Sequence, residues 1–497
     1  MKFFVHIHPD DNVAVAPVAV EAGTTEQGIV FEAIPAGHKA ALKQISVGEP
    51  VIKYGFPIGI ATVEIAPGQH VHSHNMKTGL SDDTTLSYHP VEQAAVTPPE
   101  EIPTFMGYRR PDGRAATRNE IWIINTVACV NVPSQRIADL AAKELLTRDS
   151  GIDGIHAFTH PYGCSQLGDD LGHTRKILSA LVRHPNAAAV LILGLGCENN
   201  TMKSFLGEVG ELDPRRVRFF NAQDVSDEIE QGLATMKDLV SYASQFKREP
   251  IPVSELVLGM KCGGSDGYSG ITANPLVGRI SDKLTRWGGT VVLTEVPEMF
   301  GAEAPLFNRC DTEETFDEAL GMVNDFKEYF RKHNEPIYEN PSPGNKDGGI
   351  TTLEEKSLGC IQKGGRAPVK HIAAYGESAP QKLGGLCLVQ APGNDGVSAT
   401  ALTAAGAHEV LFTTGRGTPL GVPVPTLKIA SNTSLWERKP GWIDFNAGQL
   451  LEPGVVQEKV TDDLMKLIID VASGVTESRN ERNGFREITI WKQGVTL

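Results

Sequence analysis

Residues 261–275, KCGGSDGYSGITANP, crowd a thiol (Cys262), a carboxylate (Asp266), hydroxyls (Ser265, Thr272) and an amide (Asn274) among glycines. Small polar groups with closely approachable main chain suit a ligand rich in hydroxyls and carboxylates, or a cation. TEVPEMFGAE sets Glu295 and Glu298 just after an apolar run. Paired carboxylates there bind a hard metal or serve as acid and base, although acids also favour helix starts for electrostatic reasons alone. HVHSHN places His70, His72 and His74 on one face of a strand by its period of two. Such a face chelates one ion, binds a carboxylate, or is simply solvated. TTGRGTP offers Arg416 between glycines, a setting for bidentate carboxylate binding. NPSPGNKDGG offers Asn345 and Lys346, and His38, Lys39, Lys53 and Tyr54 add cationic and phenolic candidates near the N-terminus.

The thiols share a pattern. Cys129 in NTVAC, Cys164 in THPYGCS, Cys197 in GLGCENN and Cys262 in LGMKCGGSD each follow a strand-like apolar run, with His160, Glu198 or Asp266 nearby. Ligands of open parallel sheets bind beyond the carboxyl ends of the strands. Thiolate and imidazole suit iron or zinc, and carboxylates suit magnesium, manganese or calcium. The competing account is that cysteine is a small hydrophobe commonly buried at such places. No CxxC pair occurs, GLGCEN has Asn199 where a dinucleotide fingerprint needs glycine, and no GxxxxGK[ST] is present.

These residues need a scaffold, and the patterning predicts one. Residues 1–90 read as short β segments divided by Gly, Pro and Asp turns. Residues 91–105 are proline-rich and aperiodic, as a linker would be. From 106 to 249, apolar runs such as EIWIINTV and AAVLILGLG alternate with helical periodicity, and Ser134 is placed as a helix N-cap. The alternation restarts over 250–497, giving a second α/β domain with a largely parallel sheet. The stretch 334–360 reads as one long active-site loop. With 46 basic against 61 acidic side chains, the net charge of −15 argues against nucleic-acid binding. The acidic start and the absence of a long apolar stretch predict a cytoplasmic protein without a membrane span. Seven cysteines, an odd number, fit reduced thiols better than a disulfide framework.

Taken together, GHKAAL, IKYGFPIG, HVHSHN, GYRRPDGRAATRNE, YGCSQLGDD, GLGCENN, CGGSDGYSGITANP, TEVPEMFGAE, NPSPGNKDGG, TTGRGTP and FNAGQ resemble the altronate/galactarate dehydratase family over essentially the whole chain. The resemblance implies an N-terminal SAF (β-clip) domain, a linker, a middle domain used for dimerisation and a Rossmann-like C-terminal domain, in a homodimer. It also implies loss of water from a sugar acid to give a 2-keto-3-deoxy acid, with iron(II) or manganese(II) as cofactor. HVHSHN favours D-altronate, converted to 2-keto-3-deoxy-D-gluconate, over galactarate or sulfolactate. For that chemistry, Asp266, Glu295 and Glu298 are the expected oxygen ligands, with Cys262 beside them. His72 and His74 close over the metal as acid–base groups or further ligands. Lys346 and Arg416 hold the substrate carboxylate, and Ser265, Thr272, Asn274 and Asn345 its hydroxyls. An iron–sulfur dehydratase using Cys164, Cys197 and Cys262 is the alternative thiol set, and a non-catalytic sugar-acid binding protein is the alternative of another class.

Overall fold

The computed structural model describes residues 4–80, 85–91, 101–147 and 149–497. Most of the expected linker, residues 92–100, lies outside the described residues. Its last two residues already belong to the strand Thr104–Arg109. The N-terminal segment is built of short antiparallel strands, in one sheet ordered 13–15, 39–41, 70–71 and another ordered 50–53, 56–61, 76–77.

Next comes a four-stranded parallel sheet in the order 154–158, 120–125, 187–194, 217–221. Its central strands are buried end to end, as expected where helices cover both faces. The strands entering and leaving this unit, Thr104–Arg109 and Arg248–Pro252, pair antiparallel. The first helix runs Asn131–Leu145, so it starts four residues earlier than Ser134 as N-cap requires. Pro133 is tolerated in its first turn because that turn's N–H groups have no partner within the helix. Ser134 is buried inside the helix, where its hydroxyl bonds Asn131 O and accepts from Asn125.

The C-terminal region forms a seven-stranded sheet, parallel throughout, ordered 369–373, 385–389, 290–293, 257–262, 409–414, 426–430, 445–446. This meets the α/β, Rossmann-like expectation. Strand order reverses about Val257–Cys262, so the crevice beyond Cys262 and Thr414 is the switch point where such sheets bind ligands. The stretch 334–360 is not one loop. It holds the helices Pro343–Asp347 and Leu353–Cys360, started by a Ser342/Asn345 capping box and by Thr352 bonding Glu355 N. Among the described residues, no helix is long and apolar enough to cross a membrane.

Candidate functional site

The strand Val257–Cys262 ends with two side chains that an interior strand seldom carries together, Lys261 and Cys262, both fully buried. The helix Leu353–Cys360 brings a second thiol against the first, with 3.1 Å between the Cys262 and Cys360 sulfurs. Glu298, from the turn after the strand Thr290–Leu293, completes the group. One of its oxygens accepts from Cys262 Sγ at 3.2 Å and from Cys360 Sγ at 3.0 Å. Its other oxygen faces Lys356 Nζ at 2.8 Å. Among the described residues these three alone present thiol, imidazole or carboxylate donors that all lie within 4.8 Å of one another.

Glu295 lies next to this group without joining it. It takes a left-handed backbone (φ +71°) and pairs with Lys261 and with Lys363 Nζ, the latter at 2.7 Å. A non-glycine residue held there is strained by roughly 1–2 kcal/mol, so the surroundings must fix it. Lys261 also meets Asp395 at 2.8 Å. Burial would raise the Glu298 carboxyl, but the ammoniums of Lys356, Lys261 and Lys363 outweigh it and hold the group well below the usual carboxylate range. The shared hydrogen bond with Cys262, then burial, pushes the Cys360 thiol up.

This donor set fits a divalent metal by charge. Lys261, Lys356 and Lys363 balance Glu295, Glu298 and Asp395, so the site is neutral with both thiols protonated. Exchanging two thiol protons for one doubly charged ion preserves that neutrality, which a buried site requires. Two thiolates and one carboxylate suit iron(II) better than the harder manganese(II).

Beside the thiols lies a narrow, open-sided recess, lined by Lys53, Tyr54, Ser265, Asp266, Asn274 and Cys360 among others. The N-terminal β segment forms part of its wall, docked through buried charges. Lys39 and Lys53 each reach Glu355 at 2.8 Å, and Lys39 also bonds Gly349 O at 3.0 Å. Gly267 permits this approach, because a Cβ there would stand 1.9 Å from Gly37 O. Tyr268 donates its hydroxyl hydrogen to Pro17 O at 3.1 Å.

The histidines line the same junction. His72 Nε2 donates to Lys346 O at 3.0 Å, and His38 Nε2 to Asp347 O at 3.3 Å. His38 Nδ1 lies 3.0 Å from His70 Nε2, and the His70 ring is 5.4 Å from that of the exposed His74. Burial first, then the neighbouring imidazoles, drives His70 down to about 3. Burial and the Lys39 ammonium likewise lower His72, leaving a neutral imidazole at neutral pH.

The loop residues divide into those already bonded within the protein and those facing the recess. Asp266 does not join the thiol group: its carboxylate accepts from Tyr268 N, Ser269 N and Oγ, Ser431 Oγ and Asn432 Nδ2. It organises the loop. Thr272 gives its hydroxyl to Ser431 O, and Asn274 is held between Gly359 O and Thr413 Oγ1. Asn345 caps its helix and donates to Ser265 O at 2.8 Å. Ser265 differs from these, since its buried hydroxyl has no hydrogen-bond partner among the described residues. Arg416 is exposed above the switch point, its main-chain N–H bonded to Gly264 O, and Lys346 is half-buried. Cys164 and Cys197 lie on the other sheet and are exposed, apart from Cys262. Cys360, Lys261, Lys356 and Lys363 are the functional candidates that reading the sequence passed over.

Against known families, residues 253–496 match the C-terminal D-galactarate/altronate dehydratase family. Residues 107–244 match the second domain of D-galactarate dehydratase/altronate hydrolase, and residues 2–79 the altronate/galactarate dehydratase SAF domain. The chain is 50% identical to the altronate dehydratase of Bacillus subtilis (strain 168), covering all of both chains. It is also 50% identical to the altronate dehydratase of Escherichia coli (strain K12), over 99% of this chain and 100% of the relative. Identity to the galactarate dehydratase (L-threo-forming) of Escherichia coli (strain K12) is 33%, over 97% of this chain and 95% of the relative.

Proposed function

This chain belongs to the altronate/galactarate dehydratase family, and on that premise we propose that it is a hydro-lyase that removes water from altronate to leave a 2-keto-3-deoxy acid. The observation that carries the substrate is the 50% identity, over the full length, to two altronate dehydratases, against 33% to the galactarate enzyme.

The reaction takes a proton from the carbon beside the carboxylate and expels hydroxide from the next carbon. The difficulty is electrostatic, because negative charge gathers on a group already negative. Iron(II) held by Cys262, Cys360 and Glu298 would supply several kcal/mol of stabilisation to that charge. Arg416 and Lys346 bind the carboxylate from the loops at the switch point. Ser265 offers its unpartnered hydroxyl to the polyol chain, while Asn274 and Asn345 fix the wall around it. Thr272 acts one step back, holding the loop to Ser431. His72, kept neutral, accepts the proton, and His74 delivers one to the departing hydroxide, each such group being worth roughly 10²- to 10⁴-fold. The enol then ketonises. The same reading carries a cytoplasmic homodimer joined through the middle domain.

The experiment is formation of 2-keto acid from altronate, galactarate and sulfolactate by iron-loaded protein, before and after chelation. Altronate turnover lost on chelation and restored by iron is the expected result. Undiminished turnover after complete iron removal would end the metal assignment, and preference for galactarate would move the substrate.

A second expectation concerns Ser265. An unsatisfied buried hydroxyl adds nothing to stability, so Ser265→Ala should leave the melting temperature unchanged or slightly higher. If the hydroxyl bonds substrate, KM for altronate rises by about tenfold, the equivalent of one hydrogen bond. An unchanged KM removes Ser265 from the site.

A further inference from the structure

We propose that the middle domain holds an iron–sulfur cluster on the thiolates of Cys129, Cys164 and Cys197. The three follow adjacent parallel strands, Glu120–Asn125 in the centre with Gly154–Phe158 and Ala187–Gly194 on either side. Their turns are stitched to one another next to the thiols themselves. Ala128 N donates to Tyr162 O at 2.8 Å, Asn200 N to Gly163 O at 2.9 Å, and Ser165 N to Asn199 Oδ1 at 2.7 Å. Gly163 makes the packing possible, since a Cβ there would meet Thr126 O at 2.0 Å.

Exposure separates these thiols from the rest. Cys129, Cys164 and Cys197 are exposed, whereas Cys262, Cys310, Cys360 and Cys387 are buried. A cysteine retained as a small hydrophobe belongs with the second group, and three exposed on one rim of one sheet call for a ligand. The ligand is wider than a single ion. Four sulfurs around one zinc at about 2.3 Å stand about 3.8 Å apart, yet these three do not all fall within 4.8 Å of one another. A cubane of iron and sulfide spans more and takes thiolates from separate loops.

The surroundings agree with that ligand. Gln223 Nε2 donates to Cys197 Sγ at 3.4 Å, the kind of bond that tunes a cluster's potential. Glu198, the carboxylate beside Cys197, is turned away and consumed by Thr126 Oγ1, Leu195 N and Gly196 N, so it is not a ligand. Three thiolates around a doubly charged cluster leave one negative charge, and Arg175 stands over the rim, bonded to Asn199 O and Asn200 Oδ1 at 3.1 Å each. Binding releases three thiol protons to solvent, and one iron is left for a small oxygen ligand.

This inference stands apart from the buried Cys262 site, and the test keeps them distinct. The full chain, reconstituted under nitrogen with iron(III), sulfide and dithiothreitol, whose thiols reduce half of the iron to iron(II), should show absorbance at about 400 nm and about four acid-labile sulfides per chain. Cys129→Ser, Cys164→Ser and Cys197→Ser should each lose both signals with circular dichroism unchanged, because the positions are exposed. The Cys262→Ser/Cys360→Ser variant should keep them. Wild-type protein without labile sulfide, or three serine variants that all retain it, overturns the proposal.

Discussion

Cys360→Ser is expected to lower kcat for altronate by about a thousandfold and to release the iron, while the protein stays folded. A serine hydroxyl is nearly isosteric with the thiol and meets the same neighbours, so the packing around Cys262 and Glu298 survives. It does not ionise at neutral pH, however, and the neutral exchange of two thiol protons for one divalent ion is lost. If the metal supplies about 4 kcal/mol to the developing carbanion, removing it lowers the rate by about 10³. Iron content by elemental analysis, read together with turnover, separates metal loss from misplacement of substrate. Normal iron content with near-normal kcat would show that the Cys262–Glu298–Cys360 group is not the metal centre.

That residue was the least visible in the sequence, for a physical reason. Cys262 and Glu298 end or follow apolar strands, and strand ends can be read from apolar runs, as can the alternation that builds both parallel sheets. Cys360 ends a helix whose residues are buried all round, so no period sets one face apart. A weaker signal was present: Lys356, Cys360 and Lys363 lie four and three residues apart, the spacing that stacks side chains on one helical face. Lys261 was signalled too, as a charge inside an otherwise apolar strand. Asp266, Thr272 and Asn274 present the opposite case. Their types suit a ligand, but Ser431, Asn432, Gly359 and Thr413 occupy most of their polar atoms from 85 to 166 residues away. Local pattern cannot show which hydrogen bonds are already made. Nor could it show that the His-bearing β segment docks on the end of the helix Pro343–Asp347, since that contact joins residues about 270 to 310 apart.

Glu355→Gln should be the most destabilising single change at that docking surface, by about 3–5 kcal/mol, because it strands two buried ammoniums at once. Lys39 and Lys53 share one carboxylate, so even the native group carries an uncompensated positive charge, and the two lysines respond oppositely. Lys53, supported also by Tyr54, is raised, whereas burial brings Lys39 down to about 8. The pH dependence follows from the signs. Burial would raise the Glu355 carboxyl, but Lys39 and Lys53 hold it far down, so its contribution is present above about pH 4.5 and fades as pH falls further. Lys39 is protonated in the unfolded chain but not in the folded one between pH 8 and about 10.4, so its share of stability rises with pH across that window. Glu355→Gln should remove the Glu355 share of the acid slope and so make it shallower, and limited proteolysis should then release the N-terminal β segment before the remainder unfolds. Replacing the whole triad with Lys39→Met, Lys53→Met and Glu355→Leu should recover much of the loss, since apolar packing often equals a buried ion pair. Equal denaturation midpoints for wild type and Glu355→Gln would mean that apolar contact, not this charge triad, holds the β segment over the recess.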